Sequence, residues 1–106
     1  MAKYLVIASY TAEGMKGVVE KGGTARREAV EKLLTDLGGT VESFYFAFGD
    51  ADAYVTVDLP DNIGAAAVGM TVGASGMVSC RTVVLLTPEE VDRAAKTKVT
   101  YRAPGS

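Results

Sequence analysis

An α+β domain with a single antiparallel sheet of four strands is the fold class that the sequence predicts, and two observations predict it. Residues 40–59 hold two alternating apolar runs on either side of a short turn at residues 49–52, a pattern typical of a β-hairpin. Helical patterns at residues 24–37 and 61–74 separate this hairpin from one apolar strand before it and one after it. The 106 residues are enough for one domain whose core needs no disulfide or metal.

The chain starts with a strand and an ambiguous connector. Residues 3–10 are apolar on both faces, which predicts a central strand. Thr11 could cap a helix over residues 12–19, yet Gly14 and Gly17 weaken that pattern. We expect a loop with one or two helical turns, which either covers a pocket as a lid or simply connects its neighbours.

The first full helix is predicted at residues 24–37. Thr24 is a suitable N-cap, and Gly38 can take the positive φ that ends a helix. The apolar stripe that should face the core consists of Ala29, Val30, Leu33, Leu34 and Leu37. Arg26 lies off this stripe, so its simplest role is that of a solvated helix residue.

The hairpin supplies much of the large apolar mass, because its first strand holds all three phenylalanines, Phe44, Phe46 and Phe48. Counting by two puts the phenylalanines on one face of that strand and Val41 and Tyr45 on the other. One face of the second strand carries Ala53, Val55, Val57 and Leu59. We expect Gly49 to have a positive φ, since an alternating strand turns sharply there.

The second helix is unusual because residues 63–74 carry no charge. Asp61 is well placed as its N-cap. Three glycines within the run each cost about 1 kcal/mol relative to alanine, so packing has to compensate. We therefore expect a tightly packed, buried helix rather than a ligand cradle, and the run is too short to span a bilayer.

Residues 77–86 predict the last strand, and Thr87 and Pro88 begin a short C-terminal helix. Residues 97–106 have no helical stripe, so we expect an arm or tail beyond a domain formed by residues 1–96. The order of elements is then that of the ferredoxin-like βαββαβ fold, in which two helices cover one face of the sheet.

The composition excludes several classes of function. The chain has no histidine and one cysteine, Cys80, which removes the histidine-dependent nucleophiles and the usual zinc, haem and iron–sulfur sites, so we expect no cofactor and no metal. A net charge of −2 without a basic stripe argues against a nucleic-acid partner. The N-terminal apolar run is too short for a signal peptide or a membrane span, and a lone cysteine suits a reducing compartment. We therefore expect a cytoplasmic protein with no membrane partner.

Several short motifs, in order and spacing, resemble those of the GYD-domain proteins, small bacterial proteins of the dimeric α/β-barrel group. The matching positions are Tyr10-Thr11 with Gly14, Arg26 twelve residues before Gly38-Gly39, Phe44-Tyr45, the turn at residues 49–52, Pro60-Asp61, and residues 76–82. Of the glycine, tyrosine and aspartate that name the family, Gly49 and Asp52 are present, and Ala51 stands at the position of the tyrosine. The resemblance implies a ferredoxin-like fold and a dimeric α/β barrel, and it implies no particular activity.

The candidates for ligand binding are Tyr10, Arg26, Asp52 and Arg81. With Asp50, Asp52 could bind a hard cation, or it could simply favour the turn by bonding to nearby backbone. Arg81 interrupts an apolar strand, so it either pairs with a carboxylate of this chain or a partner chain, or holds an anionic ligand. Cys80 is either a thiol of lowered pKa or a small buried hydrophobe. The sequence contains no recognisable catalytic constellation.

The sheet face that the helices leave open should be polar in a monomer, yet the first and last strands are apolar on both sides. We therefore expect a homodimer or higher oligomer joined through that face, and the candidate interface residues are Tyr4, Val6, Tyr45 and Val84. The first functional hypothesis is a module that binds an apolar or weakly acidic small molecule, or that serves in assembly or regulation. The alternative is a cofactor-independent dimeric-barrel enzyme, an isomerase, cyclase or monooxygenase of an aromatic or polyketide-like substrate, which rests on fold analogy.

Overall fold

The computed structural model describes residues 1–106 and has four strands and four helices. In chain order these are β1 (Ala2–Tyr10), α1 (Ala12–Lys21), α2 (Gly23–Asp36), β2 (Thr40–Phe46), β3 (Ala53–Leu59), α3 (Asn62–Ala74), β4 (Val78–Leu85) and α4 (Pro88–Lys96). The strands form one sheet in the order β2-β3-β1-β4, and every neighbouring pair is antiparallel. The predicted α+β class and the antiparallel sheet of four strands are confirmed.

The core lies between one face of the sheet and the two helices α2 and α3. Strand β3 alternates strictly between buried and half-buried residues, as the hairpin pattern predicts, and its buried side chains are Ala53, Val55, Val57 and Leu59. Leu34 of α2 and Ala65 of α3 pack against this row. Tyr4 of β1 completes the cluster, and its hydroxyl donates a hydrogen bond to Asn62 Oδ1 at 2.6 Å.

Replacing Tyr4 by phenylalanine should lower the free energy of unfolding by about 1 kcal/mol, since it removes this one hydrogen bond and keeps the packed ring. Chemical denaturation followed by circular dichroism measures the change. The matched control is Tyr45→Phe, because the side chain of Tyr45 is 71% exposed and its hydroxyl can bond to water. Equal stability of the Tyr4→Phe variant and the wild type would show that the Asn62 contact contributes nothing.

The strand register corrects three of the four predicted interface residues. Tyr4 faces the helices, and its cross-strand partner Val84 and its strand neighbour Val6 share that side of the sheet. They are therefore not available to an interface through the open face, whereas Tyr45 does lie on that face. Because β1 and β4 are apolar on both sides, the alternation alone did not tell which side the helices cover.

A β-bulge changes the faces of β2. The register shifts between Val41 and Ser43, so Val41 pairs with Val57 and packs against the core instead of lying opposite the phenylalanines. Phe48 lies beyond the end of the strand and is fully exposed. The expectation for Gly49 is also wrong, because its φ is not positive.

The connector after β1 is a helix of ten residues, longer than the one or two turns expected. The Thr11 hydroxyl accepts a hydrogen bond from the Gly14 amide and caps α1, while the Thr11 amide donates to the Met77 carbonyl at 2.9 Å. Gly22, with φ of 91°, ends the helix. No residue of α1 is buried, so this helix is attached mainly at its start.

Helix α3 begins as predicted, with the Asp61 carboxylate capping the amides of Ile63 and Gly64. The prediction that it is a buried helix is wrong, because Ala65 is its only buried residue. Only one side of α3 meets the sheet, and its outer side, including Ile63 and Met70, is exposed.

Helix α4 and the predicted tail together form the C-terminal arm, residues 88–106, which contributes no buried residue. The longest dimension of the chain is 57 Å. Its helix α4 is well capped: the Thr87 hydroxyl accepts from the Glu90 amide, and the Glu90 carboxylate accepts from the Thr87 amide. The Thr87 amide lowers the pKa of Glu90. The predicted start of α4 at Thr87 and Pro88 is confirmed.

Candidate functional site

An apolar inner cavity of about 110 Å³ lies between the sheet and the two helices that cover it. Its wall is formed by side chains from all four strands and from α2 and α3, and all but two of the 20 lining residues are hydrophobic. The two exceptions are Arg26 and Thr82. Arg26 is near Tyr10, so these two residues give the cavity a polar end.

Arg26 is in the first turn of α2 and Tyr10 is the last residue of β1, and their side chains meet. The Arg26 Nε donates a hydrogen bond to the Tyr10 hydroxyl at 3.3 Å, and the guanidinium carbon lies 5.7 Å from the centre of the Tyr10 ring. Arg26 is half-buried, and none of the ion pairs of the chain includes it. A guanidinium without a carboxylate partner, at the polar end of an apolar cavity, is suited to bind an anionic group.

Asp52 lies beside this site, but its carboxylate is already used. Its Oδ2 accepts from the Tyr10 amide at 2.8 Å, and its own amide donates to the Ala8 carbonyl at 2.9 Å. Asp52 therefore ties the hairpin loop to the end of β1 and holds the backbone of Tyr10 in place. The carboxylate has a structural role, but its partner is 42 positions away on β1 and is not the nearby backbone that the turn interpretation assumed.

Cys80 also lines the inner cavity. Burial raises the pKa of its thiol, and the nearby Arg26 opposes that shift. The thiol consequently stays protonated at neutral pH, which favours the interpretation of Cys80 as a small hydrophobic wall residue.

Arg81 is separated from the other three candidates by the sheet. It pairs with Ile7 across β1 and β4, in the half of the pleat that faces away from the helices. The side chain is exposed, and no carboxylate of the same chain forms an ion pair with it. The structure therefore brings Tyr10, Arg26 and Asp52 together and leaves Arg81 on the open face.

The open face is the side of the sheet that α2 and α3 do not cover. Its apolar residues are Leu5, Ile7, Tyr45, Tyr54, Val83 and Leu85, and none of them belongs to either hydrophobic cluster of the core. At one end of this face, Lys3 forms ion pairs with Glu42 and Asp58. The side-chain hydrogen bonds of Lys3 to Glu42 and Asp58 raise the pKa of Lys3, and the bond to Glu42 has the larger effect.

Sequence reasoning found Arg26 and Tyr10 separately and missed their pairing. The two residues are 16 positions apart on different elements, so no local pattern connects them. It also missed Leu5, Ile7, Val83 and Leu85 as the residues of the open face, because it assigned the other half of β1 and β4 to that side.

No three acidic or thiol side chains are grouped closely enough to hold a metal ion. None of the helices is both long and apolar enough to cross a bilayer.

Searches of the curated proteins and of the solved structures found no significant match. The GYD domain family matches residues 4–95, which is most of the chain and includes Tyr10, Arg26, Asp52 and Arg81. The protein belongs to the GYD domain family.

Proposed function

We propose that the protein is a cytoplasmic homodimer of ferredoxin-like domains, a dimeric α/β barrel, that binds a small, apolar, weakly acidic molecule in the inner cavity. The observation that carries the binding proposal is the half-buried Arg26, which has no carboxylate partner and lies at the polar end of an otherwise apolar wall. Burying a guanidinium without a counter-charge is unfavourable, and a bound carboxylate would offset that cost.

The size of the inner cavity suggests how large the buried part of the ligand is. A dry apolar cavity of roughly 150 Å³ is known to admit benzene, so about 110 Å³ suits one small ring or a short branched chain. Apart from Thr82, the wall away from Arg26 and Tyr10 offers this group mainly dispersion contacts. A ring inside the cavity would place an attached carboxylate next to Arg26 and the Tyr10 hydroxyl.

The sheet order β2-β3-β1-β4, with α2 and α3 as crossover helices on one side, supports a ferredoxin-like domain in which α1 is an addition.

The large exposed surface of the single chain supports the proposal that it binds a partner chain. The chain exposes 7399 Å², whereas a compact monomer of the same mass exposes about 5,700 Å². The excess of roughly 1,700 Å² is more than the ~800 Å² that each chain buries in a standard interface. The open face and the C-terminal arm both contribute to this excess.

The charges on the open face favour a second copy as the partner. Lys3 is shared between two carboxylates, Glu42 and Asp58, so this end of the face keeps a net negative charge. Arg81 supplies an unpaired positive charge on the same face. In a two-fold dimer, the Arg81 of each copy can approach the carboxylates of the other, which pairs charges that are unbalanced in one chain.

Isothermal titration with benzoate and with its neutral analogue benzyl alcohol tests the binding proposal. We expect benzoate to bind more tightly than benzyl alcohol, and Arg26→Gln to weaken benzoate binding about tenfold or more, since a hydrogen bond to a charged group is worth about 1.5–3 kcal/mol. The matched control is Arg27→Gln, because the neighbouring Arg27 is exposed and pairs with Glu31. Benzyl alcohol binding as tightly as benzoate, or an effect of Arg27→Gln as large as that of Arg26→Gln, would contradict the proposal.

A second candidate function is a cofactor-independent enzyme, and the specific observation in its favour is the convergence of the Tyr10 phenol and the Arg26 guanidinium on one cavity. Mass spectrometry of a bound acid recovered after long incubation distinguishes the two functions. A binding module returns the acid unchanged, whereas an enzyme returns a product whose formation stops in Tyr10→Phe.

A further inference from the structure

A second cavity lies directly outside the polar end of the inner one. This α1–α2 cleft has a volume of about 380 Å³ and lies between the two helices from which it is named. Four residues, Tyr10, Arg26, Ala29 and Val78, line both the cleft and the inner cavity. The two spaces therefore adjoin at these four residues, and the Arg26–Tyr10 pair lies at their boundary.

The two volumes differ in what they can hold. The inner cavity alone is well below the ~300–1,000 Å³ of typical small-molecule sites, whereas the cleft already falls inside that range without it. The chemistry of the walls differs as well. The inner cavity is apolar, while half of the residues that line the cleft are not hydrophobic. The charged ones are Arg26, Lys21 at the end of α1 and Glu13 near its start, so the two cations outnumber the one carboxylate.

Helix α1 forms one wall of the cleft, and its side chains do not fill that space. It has no buried residue, and it is held at its start by Thr11, which bonds to the Met77 carbonyl. Gly17 lines the cleft, and a β-carbon at this position would meet no atom within 4 Å. Lys21 forms no ion pair within the chain, so its ammonium is free to meet an anion in the cleft.

We propose that the α1–α2 cleft is the outer half of the same binding site, and that the ligand is an elongated carboxylic acid that spans both compartments. The apolar end fills the inner cavity, a chain passes the Arg26–Tyr10 pair, and the carboxylate lies in the cleft between Arg26 and Lys21. This inference rests on the proposed binding function and adds to it the length of the ligand, the position of its acid group and the side from which it enters.

A series of phenyl-substituted acids of increasing chain length, from benzoate through 3-phenylpropanoate to 5-phenylpentanoate, tests the inference by isothermal titration. In the wild type, each added methylene should tighten binding about two- to fourfold, because it is buried in the cleft. In Gly17→Leu, which fills the cleft, benzoate should bind as in the wild type, and the longer acids should bind no more tightly than benzoate. This variant should fold well, because leucine has a higher helix propensity than glycine. In the control Gly17→Ala, the affinity should increase along the series as it does in the wild type.

Lys21→Gln gives a second, independent readout. It should weaken 5-phenylpentanoate about two- to fivefold, as expected for an exposed ion pair, and leave benzoate unchanged. Lys16→Gln, an exposed lysine on the same helix that does not line the cleft, should change neither. An affinity that is flat along the series while benzoate binds would overturn the inference and leave the binding function intact. If no acid of the series binds, both fail.

Discussion

Val83→Asp is expected to convert the proposed dimer into a folded monomer. Val83 pairs with Leu5 on the open face, so the substitution places a charge in the dry centre of the proposed interface, twice in each dimer. We expect the dissociation constant to rise about 100-fold or more. The single chain should still fold, since Val83 is already partly exposed in it. Light scattering should report 11.1 kDa instead of twice that mass, with an unchanged circular dichroism spectrum.

The adjacent residue supplies the control. Val84 is on the same edge strand and is at least as exposed, but it faces the helix side with its partner Tyr4. Val84→Asp should therefore leave the dimer intact. A dimer that survives Val83→Asp, or that is split by Val84→Asp, would show that the open face does not carry the interface. A chain that ends at Thr87 separates the contribution of the C-terminal arm from that of this face.

Gly39→Ala should destabilise the fold strongly. A β-carbon on Gly39 would lie 2.4 Å from the Asp58 carbonyl oxygen and 2.7 Å from Leu59 Cδ2, and the oxygen belongs to the backbone of a central strand. Gly39 lies in the connection between α2 and β2, so relieving this clash requires that connection and β3 to move apart, which should cost about 2–3 kcal/mol. For a domain of this size the melting temperature should fall by roughly 10 °C or more.

The control for this prediction is Gly49→Ala in the hairpin loop. A β-carbon there meets no atom within 4 Å, and the φ of Gly49 is not positive, so we expect a change below about 0.5 kcal/mol. Calorimetry on both variants measures the difference. Similar melting temperatures for the two variants would mean that Gly39 is not as closely packed as the structure describes.

The sequence predicted the fold well where one physical signal was unambiguous. Strand β3 alternates between apolar and polar residues, and the structure buries the apolar half; Asp61 and Thr87 are capping residues, and each starts a helix. The failures have physical reasons too. A bulge in β2 reverses the alternation at Val41, and the residue types at this position do not predict a bulge.

The candidate site depended on tertiary placement that local patterns do not contain. The helix stripe put Arg26 in solvent, yet its long side chain reaches the Tyr10 ring at the end of β1. In α3, the lack of charge suggested burial, whereas the outer side of the helix has no neighbour within the single chain. An apolar sequence pattern therefore does not tell whether a face packs in the core or is exposed on the single chain.

Native mass spectrometry of the protein purified from its own host tests the dimer and the bound acid in one experiment. We expect an ion series at twice 11.1 kDa, with a carboxylic acid that is released on collisional activation and is absent from the Arg26→Gln variant. An 11.1 kDa species at every protein concentration, or a released compound that has no acid group and is retained by Arg26→Gln, would contradict it.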